Sequence, residues 1–176
     1  MKKIIFIFWT RPEIIKLYSL IKYCINNKIN FKTIYTNQHY DKDMSWIFFE
    51  ELGLPFPDYL IDYWKSYSHW EQIWLIKKEV ILILKNEKPD LVLVHWDTNT
   101  TLAGGLASKA LNIKLWHIES WLRSYDIEMP EEKNRIVVDH LSDYLFLPTK
   151  LQESVLLKEG IDKEKIFITW NTILIF

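Results

Sequence analysis

The sequence predicts an α/β domain, a doubly wound parallel sheet of Rossmann-like type with helices on both faces. Three observations carry that prediction. Short β-rich runs alternate with longer helical patterns through all 176 residues, as repeated strand–helix units require. The strand candidates IIFIF (4–8) and LVLV (91–94) are apolar without alternation, the pattern of strands buried on both faces. No interdomain linker, internal repeat or low-complexity stretch interrupts the pattern, which fits one domain with a substantial core.

Residues 4–8 form the first strand, and Pro12, preset for a first helical turn, opens a helix through about Asn26. Residues 31–36 form the second strand. A helix over 42–52 is closed by Gly53, with Pro55 just beyond it. Residues 54–68 are rich in aromatics and read as an irregular loop. A long helix from about Trp70 to Glu87 stops before Lys88-Pro89-Asp90, because the residue before a proline is pushed out of helical geometry. Strand 91–95, helix 99–111 and strand 113–118 follow, then a loop at 120–129 and a helix from Pro130 to about Leu141. Strand 144–147, helix 149–159 capped by Gly160, and strand 166–169 complete the order.

The composition, 49% hydrophobic and 26% charged, suits a globular protein that meets water. A net charge of −1 gives no electrostatic argument for nucleic acid or an anionic membrane as partner. The lone cysteine, Cys24, has no internal disulfide partner and falls on an apolar helical pattern, which reads as a core position in a cytoplasmic chain. The opening MKKIIFIFW is too short for a signal peptide, and no run approaches the ~18 apolar residues of a membrane span. Two biases stand out: 9 Trp against 4 Gly, and 19 Lys against 3 Arg. The second has the look of an AT-rich coding sequence, in which an arginine marks a place where lysine does not suffice.

In a doubly wound sheet, ligands bind at the carboxyl ends of the strands, and the unusual polar residues gather there. The first strand ends in Trp9-Thr10-Arg11-Pro12-Glu13, with Lys16 one turn into the helix, and the second in Thr36-Asn37-Gln38-His39. The strand at 91–95 delivers His95 and Asp97, and the strand at 113–118 delivers His117 and Glu119, with Arg123 in the loop after it. The helix at Pro130 brings Glu131, Glu132 and Arg135. All three arginines lie in these segments, and a planar guanidinium suits a phosphate or carboxylate clamp. Each residue also has a plain structural reading. Glu131 and Glu132 complement a helix dipole, Asp97 caps the helix at 99, His95 and His117 pack at strand ends, and Arg135 pairs with Glu131 at i, i+4. Taken together, carboxylates, histidines and cations converging on one rim favour a catalytic site. No Cys/His pair has zinc spacing, and no dinucleotide or ATP-binding glycine motif is present.

At these residues the chain resembles a known family. FWTRPE, TNQHY, LVLVHWDTNTTLAG, HIESWLRSYD, MPEEKNR and SDYLFLPT look like successive motifs of the non-hydrolysing UDP-N-acetylglucosamine 2-epimerases, in order and along the whole chain. The family pattern has glycine where this chain has Trp9, Trp96, Trp116, Trp121 and Trp170, while Trp70 and Trp74 look similarly displaced and Trp46 and Trp64 are less clear. A tryptophan where φ must be positive costs about 1–3 kcal/mol, and its indole would crowd the cleft meant for the sugar. Since UGA encodes tryptophan in some lineages and glycine in others, the expectation is that most of these positions are glycine codons read with the tryptophan table.

The resemblance implies the first domain of a two-domain glycosyltransferase-B fold, covering about half of the enzyme, with a UDP-binding domain supplying the rest. It implies interconversion of UDP-GlcNAc and UDP-ManNAc by elimination of UDP to a 2-acetamidoglucal, then re-addition, with no cofactor or metal, in a cytoplasmic homodimer. Asp97, Glu119 and Glu131 are then the acid–base candidates. Arg11, Lys16 and Arg135 serve as diphosphate or site-organising cations, Gln38 and His39 line the substrate pocket or a regulatory one, and His95, His117 and Arg123 support the site. This half alone is expected to turn nothing over and to expose an apolar face that the second domain covers. A hydrolysing epimerase, which releases ManNAc, a glycosyltransferase of the same fold and an inactive product acting by docking are the rival readings.

Overall fold

In the computed structural model, which describes residues 2–37, 42–62, 68–120 and 123–169, strand and helix alternate along the chain. The strands are β1 (Lys3–Phe8), β2 (Asn30–Asn37), β3 (Tyr59–Asp62), β4 (Leu91–His95), β5 (Lys114–Ile118), β6 (Tyr144–Leu147) and β7 (Ile166–Ile168). They form one sheet in the order β3-β2-β1-β4-β5-β6-β7, every neighbouring pair parallel. The helices are α1 (Arg11–Asn26), α2 (Lys42–Glu51), α3 (His69–Glu87), α4 (Asn99–Ala110), α5 (Pro130–Leu141) and α6 (Lys150–Lys158). Chain order reverses between β1 and β4. That reversal is the topological switch point at which open α/β sheets bind their ligands.

The unbroken apolar runs divide their side chains between two cores, as the period of two along a strand demands. Ile5, Ile7, Val92 and Val94 point into a layer with Val80 and Leu84 of α3 and Leu102 and Ala103 of α4. Phe6, Phe8 and Leu93 point into the opposite layer with Ile14, Leu17 and Ile21 of α1 and Phe49 of α2. Cys24 is buried in that second layer, one turn beyond Ile21, in agreement with its apolar helical setting. α4 lies close on the sheet because Gly104 has no side chain: a Cβ there would come within 3.1 Å of both Ile7 and Val94. Gly53 closes α2 at φ 58, the left-handed conformation that favours glycine.

Residues 54–68 depart from the expected loop, because Tyr59–Asp62 adds an edge strand to β2, with Ile34 opposite Tyr59 and Asn37 opposite Asp62. Four residues in an edge position, with Leu60 facing solvent, give too little periodicity to stand out in the sequence. Among the described residues no helix is long and apolar enough to cross a membrane.

Candidate active site

The carboxyl ends of β1, β4 and β5 bring Glu13, Lys16, His95, Trp96 and Glu119 together at the switch point. α1 starts with Thr10, whose backbone N–H donates to Glu13 Oε2 at 2.7 Å while its hydroxyl donates to the same oxygen at 3.0 Å. The Trp9 N–H adds a third donor at 3.0 Å. This box fixes the first turn of α1 and turns Lys16, one turn later, toward the strand ends. Lys16 Nζ pairs there with Glu119 Oε2, both groups nearly buried. Trp96 Nε1 donates to that same oxygen at 3.0 Å, and Lys16 Nζ lies 4.8 Å from the centre of the Trp96 ring. The His95 ring is wholly buried between two carboxylates, with Nε2 3.6 Å from Glu119 Oε2 and Nδ1 3.9 Å from Glu13 Oε1.

Burial sets the proton affinities of this group, and pairing then divides them. Glu13 is 0% exposed, and desolvation lifts its carboxyl to about 7 against the pull of the Thr10 and Trp9 donors, with Asp97 adding a small push upward. Burial also resists ionisation of Glu119, but the nearby His95 ring and the pairing with Lys16 outweigh it and hold the carboxyl at about 2. Burial lowers His95, with Glu119 drawing it partly back.

A second cluster joins β4 to α5. Arg135 Nε donates to Asp97 Oδ2 at 3.0 Å, Nη2 donates to the same oxygen, and Nη1 donates to Glu132 Oε2 at 2.5 Å. The helical partner of Arg135 is therefore Glu132 at i, i+3 and not Glu131 at i, i+4, a correction to the expected pair. Glu132 is buried and accepts the backbone N–H groups of Ser124 and Tyr125, while Glu131 is exposed in the first turn of α5. Asn134 fixes the bend after β4 by donating to the Asp97 carbonyl at 2.9 Å. Asp97 does not cap α4; Thr98 does, its hydroxyl accepting from the Thr101 N–H.

The supporting residues lie just behind. His117 Nδ1 meets Asp139 Oδ1 at 2.7 Å, and Nε2 meets the Trp96 carbonyl at 2.6 Å, which ties the bend at Trp96 to α5. Arg123 bridges Asp139 and, through two bonds, Glu159. Arg11 is half-buried with its guanidinium 5.6 Å from the centre of the Phe48 ring, outside both clusters. Gln38 and His39 lie outside the described residues, as do Trp64, Trp121 and Trp170. Among the described residues no group of three or more His, Cys, Asp or Glu is placed to hold a metal ion.

The tryptophans divide. Trp96 has φ 62 and Glu119 φ 52, both left-handed, whereas Trp9 and Trp116 are not among the positive-φ residues. The glycine expectation thus has a backbone reason at Trp96. Trp116 is a strand residue whose ring lies 5.2 Å from Phe146 and 5.8 Å from Tyr144, packed against the sheet rather than in the cleft. Trp70 and Trp74 stand exposed on the regular helix α3. Crowding of the site is seen at Trp96, where the indole fills the space beside Glu119 and Lys16.

The profile of the UDP-N-acetylglucosamine 2-epimerase family matches residues 23–174. The chain belongs to this family. A UDP-N-acetylglucosamine 2-epimerase of Methanococcus maripaludis is 51% identical over 173 residues, which are 98% of this chain and 46% of the relative. One of Methanocaldococcus jannaschii is 48% identical over 171 residues, 97% of this chain and 46% of the relative. The crystal structure of Methanocaldococcus jannaschii UDP-GlcNAc 2-epimerase in complex with UDP-GlcNAc and UDP is 47% identical, with a TM-score of 0.90 over 97% of this chain and 47% of that chain. The chain therefore spans about half the length of the curated relatives it matches. Its Rossmann-like sheet is the glycosyltransferase-B-type domain that the motifs imply.

Glu13 is absent from the candidates read in the sequence, because the capping-box spacing Thr10-x-x-Glu13 accounts for its carboxylate without a further role. Asp139 and Glu159, which anchor His117 and Arg123, carry no local signal, because their partners lie 16 to 36 residues away.

Proposed function

We propose that this chain is the acid–base half of a non-hydrolysing UDP-GlcNAc 2-epimerase. The observation that carries the reading is the convergence of Glu119, on Lys16 and His95, with Asp97, on Arg135, at one switch point. The C2 hydrogen of the sugar is weakly acidic, so the anomeric C1–O bond must break ahead of or along with proton loss. A carboxylate removes the C2 proton, the electron pair forms the C1=C2 bond of the glucal, and UDP leaves with the C1–O pair. Return of a proton to the other face of C2, with UDP re-adding at C1, inverts the centre. That sequence calls for an acid–base group near each sugar face and for cations where the diphosphate departs.

Asp97 and Glu119 fill the acid–base roles best, because both sit at strand ends and each is held by a cation. Glu131, at the exposed start of α5, is the third candidate. Lys16 and Arg135 organise the two carboxylates; Lys16 also stands where a departing diphosphate would meet a charge, and Arg11 borders that rim. Glycine in place of Trp96 opens the space beside Glu119 for the sugar. A second domain holds the uridine, so this half alone turns nothing over, and the complete enzyme works as a homodimer.

The test is a chimera that joins residues 1–169, with Trp9, Trp96, Trp116 and Trp121 changed to Gly, to the remaining half of the Methanocaldococcus jannaschii relative. UDP-ManNAc from UDP-GlcNAc supports the reading. Free ManNAc and UDP would instead assign the hydrolysing reaction, which shares the elimination and these residues.

A further inference from the structure

Among the buried polar atoms of the described residues that have no hydrogen-bond partner, three belong to two side chains that face each other: Glu13 Oε1, His95 Nδ1 and His95 Nε2. Both residues are 0% exposed. Glu13 commits Oε2 to the start of α1 and leaves Oε1 directed at the imidazole, 3.9 Å from Nδ1. The other ring nitrogen lies 3.6 Å from Glu119 Oε2. An unsatisfied buried polar atom costs roughly 1–3 kcal/mol, so three in a row are a standing cost to the fold. Each gap is slightly wider than a hydrogen bond, and a small tilt of the ring closes it on one carboxylate or the other.

We propose that Glu13 and His95 form a buried proton store behind Glu119, a role that rests on the reading of Glu119 as an acid–base residue. Glu119, once it has taken a proton, passes it to His95 Nε2, and the proton on Nδ1 moves to Glu13 Oε1. Glu119 returns to the carboxylate, the ring stays neutral in its other tautomer, and Glu13 becomes the acid. The reverse sequence hands the proton back. Glu13 is a positioning residue here, since it acts through His95 and touches no substrate.

The surrounding charges favour one resting state. Lys16 from α1 stabilises Glu119 as the carboxylate, and Asp97 beyond β4 favours protonated Glu13. Lys16 and His117 of β5 both disfavour a charged His95. Burial moves Glu13 upward and His95 downward, so the carboxyl gains on the imidazole in the competition for a proton.

The test uses the whole chain without substrate, in infrared spectra and histidine ring-nitrogen NMR recorded between pH about 5 and about 9, on either side of the Glu13 carboxyl at about 7. A carbonyl band of a protonated buried acid should be lost with a midpoint near 7, and the His95 nitrogens should shift with the same midpoint. E13Q keeps an oxygen for the Thr10 and Trp9 donors, so α1 stays capped, and it should abolish both signals. Absence of the band, or a band that titrates with no change at His95, overturns the store. Both readouts exist in the unsubstituted protein, so the outcome holds even where E13Q does not fold. An active chimera should also lose its pH inflection near 7 in E13Q. A chimera without epimerase activity, alongside an intact coupled titration, counts against the proposed function alone.

Discussion

Replacing Trp96 by alanine and by glycine separates its backbone from its indole. Both substitutions remove the same contacts: the 3.0 Å bond to Glu119, the approach of Lys16 to the ring at 4.8 Å, and the tilted packing on His95 at 5.3 Å. What differs is the φ of 62. A left-handed conformation costs an L-residue roughly 1–2 kcal/mol that glycine escapes. Glycine's freer unfolded chain returns about 0.4–1 kcal/mol of that advantage. W96G should therefore be more stable than W96A by about 1 kcal/mol, a difference of about 2–4 °C in Tm for a chain of this size. Urea denaturation of the two variants measures it. Trp116 supplies the control, because it lies in β5 and not in the left-handed region, so W116A should be the more stable of its pair. Equal stability of W96A and W96G, or alanine ahead, would refute the argument that the bend selects glycine.

The gene gives a second test of the same idea: UGA is expected at Trp9, Trp96 and Trp121, and UGG at those positions would sink it. The Glu13 carboxyl, raised from 4.5 to about 7, binds more protons folded than unfolded, so its contribution is complete below pH 4.5 and is lost as pH rises through 7. That contribution is on the order of 3 kcal/mol, and urea titrations should show E13Q lacking this fall in stability. D97N should slow exchange of the C2 proton with solvent by roughly 10²–10⁴-fold in the glycine-restored chimera. Near-normal exchange in D97N removes Asp97 from the acid–base role.

Most of the sheet was legible because buried parallel strands leave unmixed apolar runs, as at IIFIF and LVLV. β3 was not, since four edge residues beside aromatic loop residues carry no such run. Within the site, the strand-end rule brought Lys16, His95, Asp97, Glu119 and Arg135 into view because position in the fold follows from position along the chain. Their pairing did not follow: α5 could have turned Glu131 or Glu132 toward Arg135, and only packing selects Glu132. The role of Glu13 was hidden for another reason. Its local task, closing the first turn of α1, accounts fully for a carboxylate at that spacing, and nothing nearby in sequence announces His95 against its second oxygen.

If these strand ends carry the acid–base chemistry of 2-epimerisation, the C2 hydrogen of the sugar exchanges with solvent during turnover. The glycine-restored chimera incubated with UDP-GlcNAc in deuterated water tests it most directly. UDP-ManNAc bearing deuterium at C2, formed with the sugar still attached to UDP, is the predicted result. Recovery of UDP-GlcNAc with hydrogen retained at C2, from a folded chimera that binds it, would contradict the account.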